Sequence, residues 1–76
     1  MRDEINQEHR RPRVPTRSQQ AILQLVSVGM TDEEIAFHMG IKKTTVRTHI
    51  AAALTRLGLH TRAHAVAVSM REGWIT

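Results

Sequence analysis

A chain of 76 residues has room for one domain and buries only roughly 60% of the surface that its unfolded form exposes. With 3% aromatic residues and no cysteine, disulfides and thiolate metal sites are excluded, and the β-branched and aromatic runs that build strands are missing. The formal net charge is +4, and no apolar run approaches the roughly 20 residues that a membrane span needs.

Residues 1–14 carry Asn6, Gln7, Glu8, His9, Arg10, Arg11, Pro12 and Arg13, with Ile5 and Val14 as the sizeable aliphatics. Such a segment cannot bury enough apolar surface to order itself. It is expected to be a flexible tail or linker, or a minor-groove arm built on Arg10, Arg11 and Arg13. The domain proper is expected over residues 15–76, as an all-α fold of four helices.

The first helix should begin at Thr16, whose hydroxyl can cap Gln19 while the Gln19 amide reaches back. Ile22, Leu23, Leu25 and Val26 give it a broad apolar face, and Gly29 ends it. Thr31 caps a second, short helix whose first turn holds Asp32, Glu33 and Glu34. Negative charge there meets the positive end of the helix dipole, so the acidic cluster has a structural reason. Ile35, Ala36 and Met39 should face inward, with Gly40 as the breaker.

The third helix follows after Ile41 and Lys42 and runs to about Leu57, where Gly58 stops it. A fourth, capped by Thr61, runs from Arg62 to about Glu72. Trp74 and Met70 are expected to close the core at its end. Two helices joined by a three-residue turn with glycine, the first short and the second amphipathic, form a helix-turn-helix. Ala36 supplies the small residue at the crossing, and Ile41 and Val46 fill the angle.

Charge is segregated. From Ile35 to Arg71 there is no acidic residue, while Lys42, Lys43, Arg47, Arg56, Arg62 and Arg71 all fall in that span. A polyanion partner explains such a footprint, because each neutralised phosphate releases counterions; a solvated surface with acidic partners elsewhere would also produce it. At about 100° per residue the third helix places Val46, Ile50, Ala53 and Leu57 on one face, flanked by His49 and Leu54. The opposite face holds Thr44, Arg47, Thr48, Ala51 and Thr55. Its small side chains suit a helix that must enter a groove about 12 Å wide, and an arginine there can pair bidentately with guanine. Arg47, Thr48 and Ala51 are therefore the candidate base contacts. Lys42 and Lys43 stand where a Ser or Asp cap is expected, an unfavourable place for cations unless they meet phosphate.

These residues resemble the LuxR/GerE-type DNA-binding domain of bacterial regulators over Pro15 to Thr76. The resemblance is carried by Gly29-Met30-Thr31, Glu34-Ile35-Ala36, Gly40-Ile41, Thr45-Val46-Arg47-Thr48-His49, Leu57-Gly58-Leu59, Thr61-Arg62, Ala65-Val66 and Gly73-Trp74-Ile75. It implies base contacts from Arg47, Thr48 and Ala51, and phosphate contacts from Thr45, Arg62 and the start of the third helix at Lys42 and Lys43. The chain departs from the family pattern at Gln19, usually a glutamate, at Pro15, usually a leucine, and at Lys42-Lys43, which replace a Ser-Glu-like start.

The expected partner is double-stranded DNA. The chain is read as a transcription regulator, cytoplasmic and nucleoid-associated, with no catalytic residue, cofactor or metal; the alternative is a module of the same fold that binds and modulates another regulator. In the fourth helix Ala63, Val66, Ala67, Met70 and Trp74 are expected to form the core stripe. Ala65 and Val68 then point away from it, as candidates for a homodimer contact that would set two recognition helices about one DNA turn apart.

Overall fold

The computed structural model describes residues 13–76. Expectations resting on residues 1–12, the tail and its Arg10–Arg11 arm, lie outside the described residues. Four helices follow in chain order: α1 (Arg17–Ser27), α2 (Asp32–Met39), α3 (Lys43–Leu57) and α4 (Arg62–Arg71), with no strand among the described residues.

Local chemistry sets several of the boundaries. Thr16 caps α1 in a reciprocal box: its Oγ1 accepts from the Gln19 N–H at 3.1 Å, and Gln19 Oε1 accepts from the Thr16 N–H at 2.9 Å. Gln19 is buried, and a neutral amide satisfies the cap there without the desolvation that a glutamate would suffer. Thr31 and Glu34 repeat the box at α2, with distances of 3.1 and 2.8 Å. Gly40 then adopts φ 70°, ψ 34°, left-handed backbone that a side chain disfavours. There the Ile41 N–H reaches back to the Ala36 carbonyl at 3.0 Å, which sets the sharp α2–α3 turn.

The core is two clusters strung along α3. Val46 and Ile50 join Ile22, Ile35 and Ala36 in the first; Ala53 and Leu57 join Leu23, Ala65 and Ile75 in the second. Adjacent Ile22 and Leu23 let α1 serve both, and half-buried Leu54 touches both. The predicted inner face of α3 is thus the observed one. Ahead of α1, buried Pro15 and the Val14 carbonyl, which accepts from Arg56 Nε, tie the entry to the domain.

The phase of α4 differs from the sequence expectation. Ala65 and Ser69 are the fully buried positions, with Val66 and Val68 half-buried, whereas Ala63, Ala67 and Met70 are exposed. The physical reason is size. Ala65 on α4 and Ala53 on α3 share the second cluster, both with no exposed surface, and two small residues allow a close approach that bulkier side chains would prevent. Ile75 takes the end-of-core position expected of Met70, with half-buried Trp74 beside it.

Candidate nucleic-acid interface

Packing of Val46, Ile50, Ala53 and Leu57 against the rest of the domain leaves the other side of α3 open. Thr44, Arg47, Thr48, Ala51 and Thr55 are all exposed on it. Their side chains are short apart from Arg47, so the helix presents a low ridge with one long cationic arm. The Thr48 hydroxyl donates to the Thr44 carbonyl at 2.9 Å. With its proton so engaged, Thr48 offers an incoming group only its lone pairs and its methyl.

At the start of α3, Lys42 occupies the cap position with φ −79°, ψ 152° and makes no side-chain cap hydrogen bond. The Thr45 N–H turns to the Lys42 carbonyl at 3.0 Å, and no side chain caps the first N–H groups of α3, which stand beside two lysines, an arrangement suited to an anion. Lys42 is exposed; Lys43 and Thr45 are half-buried.

Lys43, Arg47 and Arg62 are tied to the acidic first turn of α2. Lys43 Nζ lies 3.2 Å from Glu33 Oε2. Arg62 Nη1 and Nη2 donate to Asp32 Oδ1 and Oδ2 at 2.7 and 3.3 Å, and Arg47 Nε donates to the same Oδ2 at 3.4 Å. The Arg62 hydrogen bond, opposed by partial burial and aided by the Arg47 charge, holds the Asp32 carboxyl below its ordinary value; the same bond raises Arg62. Arg47, Arg62, Lys42, Lys43 and Thr45 thus fall around one end of α3, with Thr48 and Ala51 following along the outer face. Sequence reasoning assigned Asp32 only to the helix dipole; its spacing of 15 residues from Arg47 and 30 from Arg62 carries no local pattern that would have linked the three.

Residues 15–69 match the family described as bacterial regulatory proteins, luxR family. The chain belongs to the luxR family of bacterial regulatory proteins. Among its relatives, the spore germination protein GerE of Bacillus subtilis is 34% identical over 58 residues, covering 76% of this chain and 78% of that protein. The transcriptional regulatory protein DesR of Bacillus subtilis is 36% identical over 59 residues, covering 78% of this chain and 30% of that protein. The glycerol metabolism activator of Pseudomonas putida is 35% identical over 51 residues, covering 67% of this chain and 23% of that protein. The chain therefore spans under a third of several longer regulators it matches. The solved structure of the transcription factor GerE superposes with a TM-score of 0.76 at 27% identity, covering 87% of this chain and 97% of that one.

Within this luxR-family fold, the dimer candidate Ala65 is corrected: it has no exposed surface and belongs to the monomer's core. Val68 is half-buried. The apolar surface that α4 leaves open is Ala63, Ala67 and Met70, on one face at spacings of four and three. On α2, Phe37 is 91% exposed beside Met30, Glu33, Glu34 and His38. It stands outside the core, although aromatic residues are scarce in this chain.

Proposed function

We propose that this domain binds specific sites on double-stranded DNA to regulate transcription, with α3 as the reader in the major groove. Arg47, Thr48 and Ala51 contact base edges in this reading, and Lys42, Lys43, Thr45 and Arg62 contact phosphates. The observation that carries it is the sidedness of α3: four buried aliphatics on one face, and small exposed side chains around one arginine on the other. Family membership supports the regulatory role, and the spacing of the α2–α3 turn supports groove entry. The protein acts on the nucleoid, in the cytoplasm, without a catalytic step or cofactor. It pairs as a homodimer on DNA through α4, by Ala63, Ala67 and Met70 with Val68 at the margin.

Selection of bound duplexes from a random pool, at stated salt, tests this. A consensus should emerge, and Arg47→Ala should lose about 1–3 kcal/mol mainly at one base pair of it. Equal losses on selected and random duplexes would remove Arg47 as a base reader. No consensus at all would remove the function.

A second reading, a protein-binding module that modulates another regulator, is favoured by exposed Phe37 in its acidic setting. Aromatic anchors of this kind mark protein contacts. It fits an aliphatic side chain flanked by Lys or Arg on a partner, and a module acting solely in this way selects no duplex.

A further inference from the structure

The base reader proposed above does not stand alone. Its guanidinium meets a carboxylate that is itself clamped: Asp32 has 14% of its side chain exposed and gives both oxygens to Arg62, at 2.7 and 3.3 Å. Asp32 opens α2, Arg47 stands on α3 and Arg62 opens α4, so one carboxylate joins three helices. Arg47 reaches it through Nε alone, at 3.4 Å, while 60% of the arginine side chain remains exposed.

The donor count gives this arrangement a meaning. An arginine has five N–H donors in a rigid plane, and one carboxylate oxygen on Nε restrains the direction of that plane while leaving the two Nη groups for another acceptor. A guanine edge, with O6 and N7 side by side, accepts two such donors. We infer that Asp32 is a positioning residue that aims the Arg47 guanidinium at a base through Nε, with Arg62 holding Asp32 in place. The inference rests on the DNA-reading function proposed for α3 and assigns it a specificity determinant outside the recognition helix.

Asp32 also acts against indiscriminate binding. Its negative charge offsets one of the two arginines, so the trio presents one net positive charge to phosphates instead of two. Removing the carboxylate should therefore tighten binding to any duplex while loosening the aim of Arg47. A carboxylate that served only the α2 dipole would alter stability and leave sequence preference unchanged.

The test compares unaltered protein, Asp32→Asn, Asp32→Glu and Arg47→Lys on the selected duplex, on the same duplex changed at the base pair that Arg47 reads, and on random duplex. For Asp32→Asn, discrimination at that base pair should fall about two- to fivefold, affinity for random duplex should rise, and the salt dependence should steepen. Asp32→Glu should recover part of the discrimination. In the Arg47→Lys background, Asp32→Asn should change discrimination no further, since the coupled partner is gone. Should Asp32→Asn fail to fold, the unaltered protein decides: exchange of the Arg47 Nε–H should stay slow in the DNA complex. Full discrimination in folded Asp32→Asn, or fast Nε–H exchange in the complex, overturns the positioning role while Arg47 remains a reader. If Arg47→Lys also leaves discrimination intact, Arg47 is not a base reader and the positioning role falls with it, while the function proposed for α3 stands or falls on whether a consensus is selected.

Discussion

Ser69 has no exposed surface, and its hydroxyl finds no hydrogen-bond partner among the described residues. Its carbonyl, by contrast, accepts from the Trp74 N–H at 2.8 Å and the Ile75 N–H at 3.3 Å, so the backbone is fixed whatever the side chain. A buried hydroxyl without a partner is costly, and alanine is the better helix former. Ser69→Ala is expected to raise stability by about 1 kcal/mol, read as a thermal midpoint higher by roughly 4–8 °C. A lower midpoint would mean that the hydroxyl is bonded in solution. Asp32 gives a second expectation at this scale. Its carboxyl lies below 3.8 in the folded protein, chiefly through Arg62. A depressed carboxylate contributes stability that is complete above its unfolded value and is lost as pH falls through its folded one. Below pH 3.8 the unaltered protein should therefore lose stability more steeply than Asp32→Asn. Parallel acid-unfolding curves would show that the Asp32 network is absent in solution.

Among the elements, α3 is the one whose start conflicts with local stability. Three of the helices have a threonine cap that accepts a backbone N–H; α3 has Lys42 and no cap bond. Lys42→Ser should stabilise the domain by about 0.5–2 kcal/mol and weaken binding to all duplexes alike, with a salt slope smaller by about one. Urea melts and salt titrations of the same variant check both halves. A variant that gains stability and keeps its affinity would show that Lys42 meets no phosphate. This conflict was legible in the sequence because capping is local: the Thr-x-x-Gln and Thr-x-x-Glu spacings lie within one turn, as do Gly40 and Gly58 at the helix ends. The α3 face was legible for a related reason. Val46, Ile50, Ala53 and Leu57 are the larger or stricter apolar positions of a long helix, so the period alone sets the phase. In α4 nearly every residue from Ala63 to Met70 is small or apolar. Hydrophobicity then selects no face, and size complementarity at Ala53 and Ala65 makes the choice.

At the scale of the whole molecule, the corrected phase of α4 moves the expected contact between two copies. Ala67→Glu, on the exposed face, should leave folding intact, abolish cooperative binding to a duplex with two half-sites and spare binding to one half-site. Ala65→Glu should instead unfold the domain, because a carboxylate would enter a site with no exposed surface. Sedimentation and gel-shift titrations separate these outcomes; cooperativity that survives Ala67→Glu would exclude this face. The sequence by itself determined the four helices, their caps and breaks, the inward face of α3 and the cationic span from Ile35 to Arg71. All of these depend on residues within a few positions of one another or on composition, where backbone chemistry acts without knowledge of the fold. Only the tertiary structure decided which side of α4 is buried, where Phe37 stands, and that Asp32 meets both Arg47 and Arg62. Those depend on how three helices cross, and a crossing is set by the volumes that meet there.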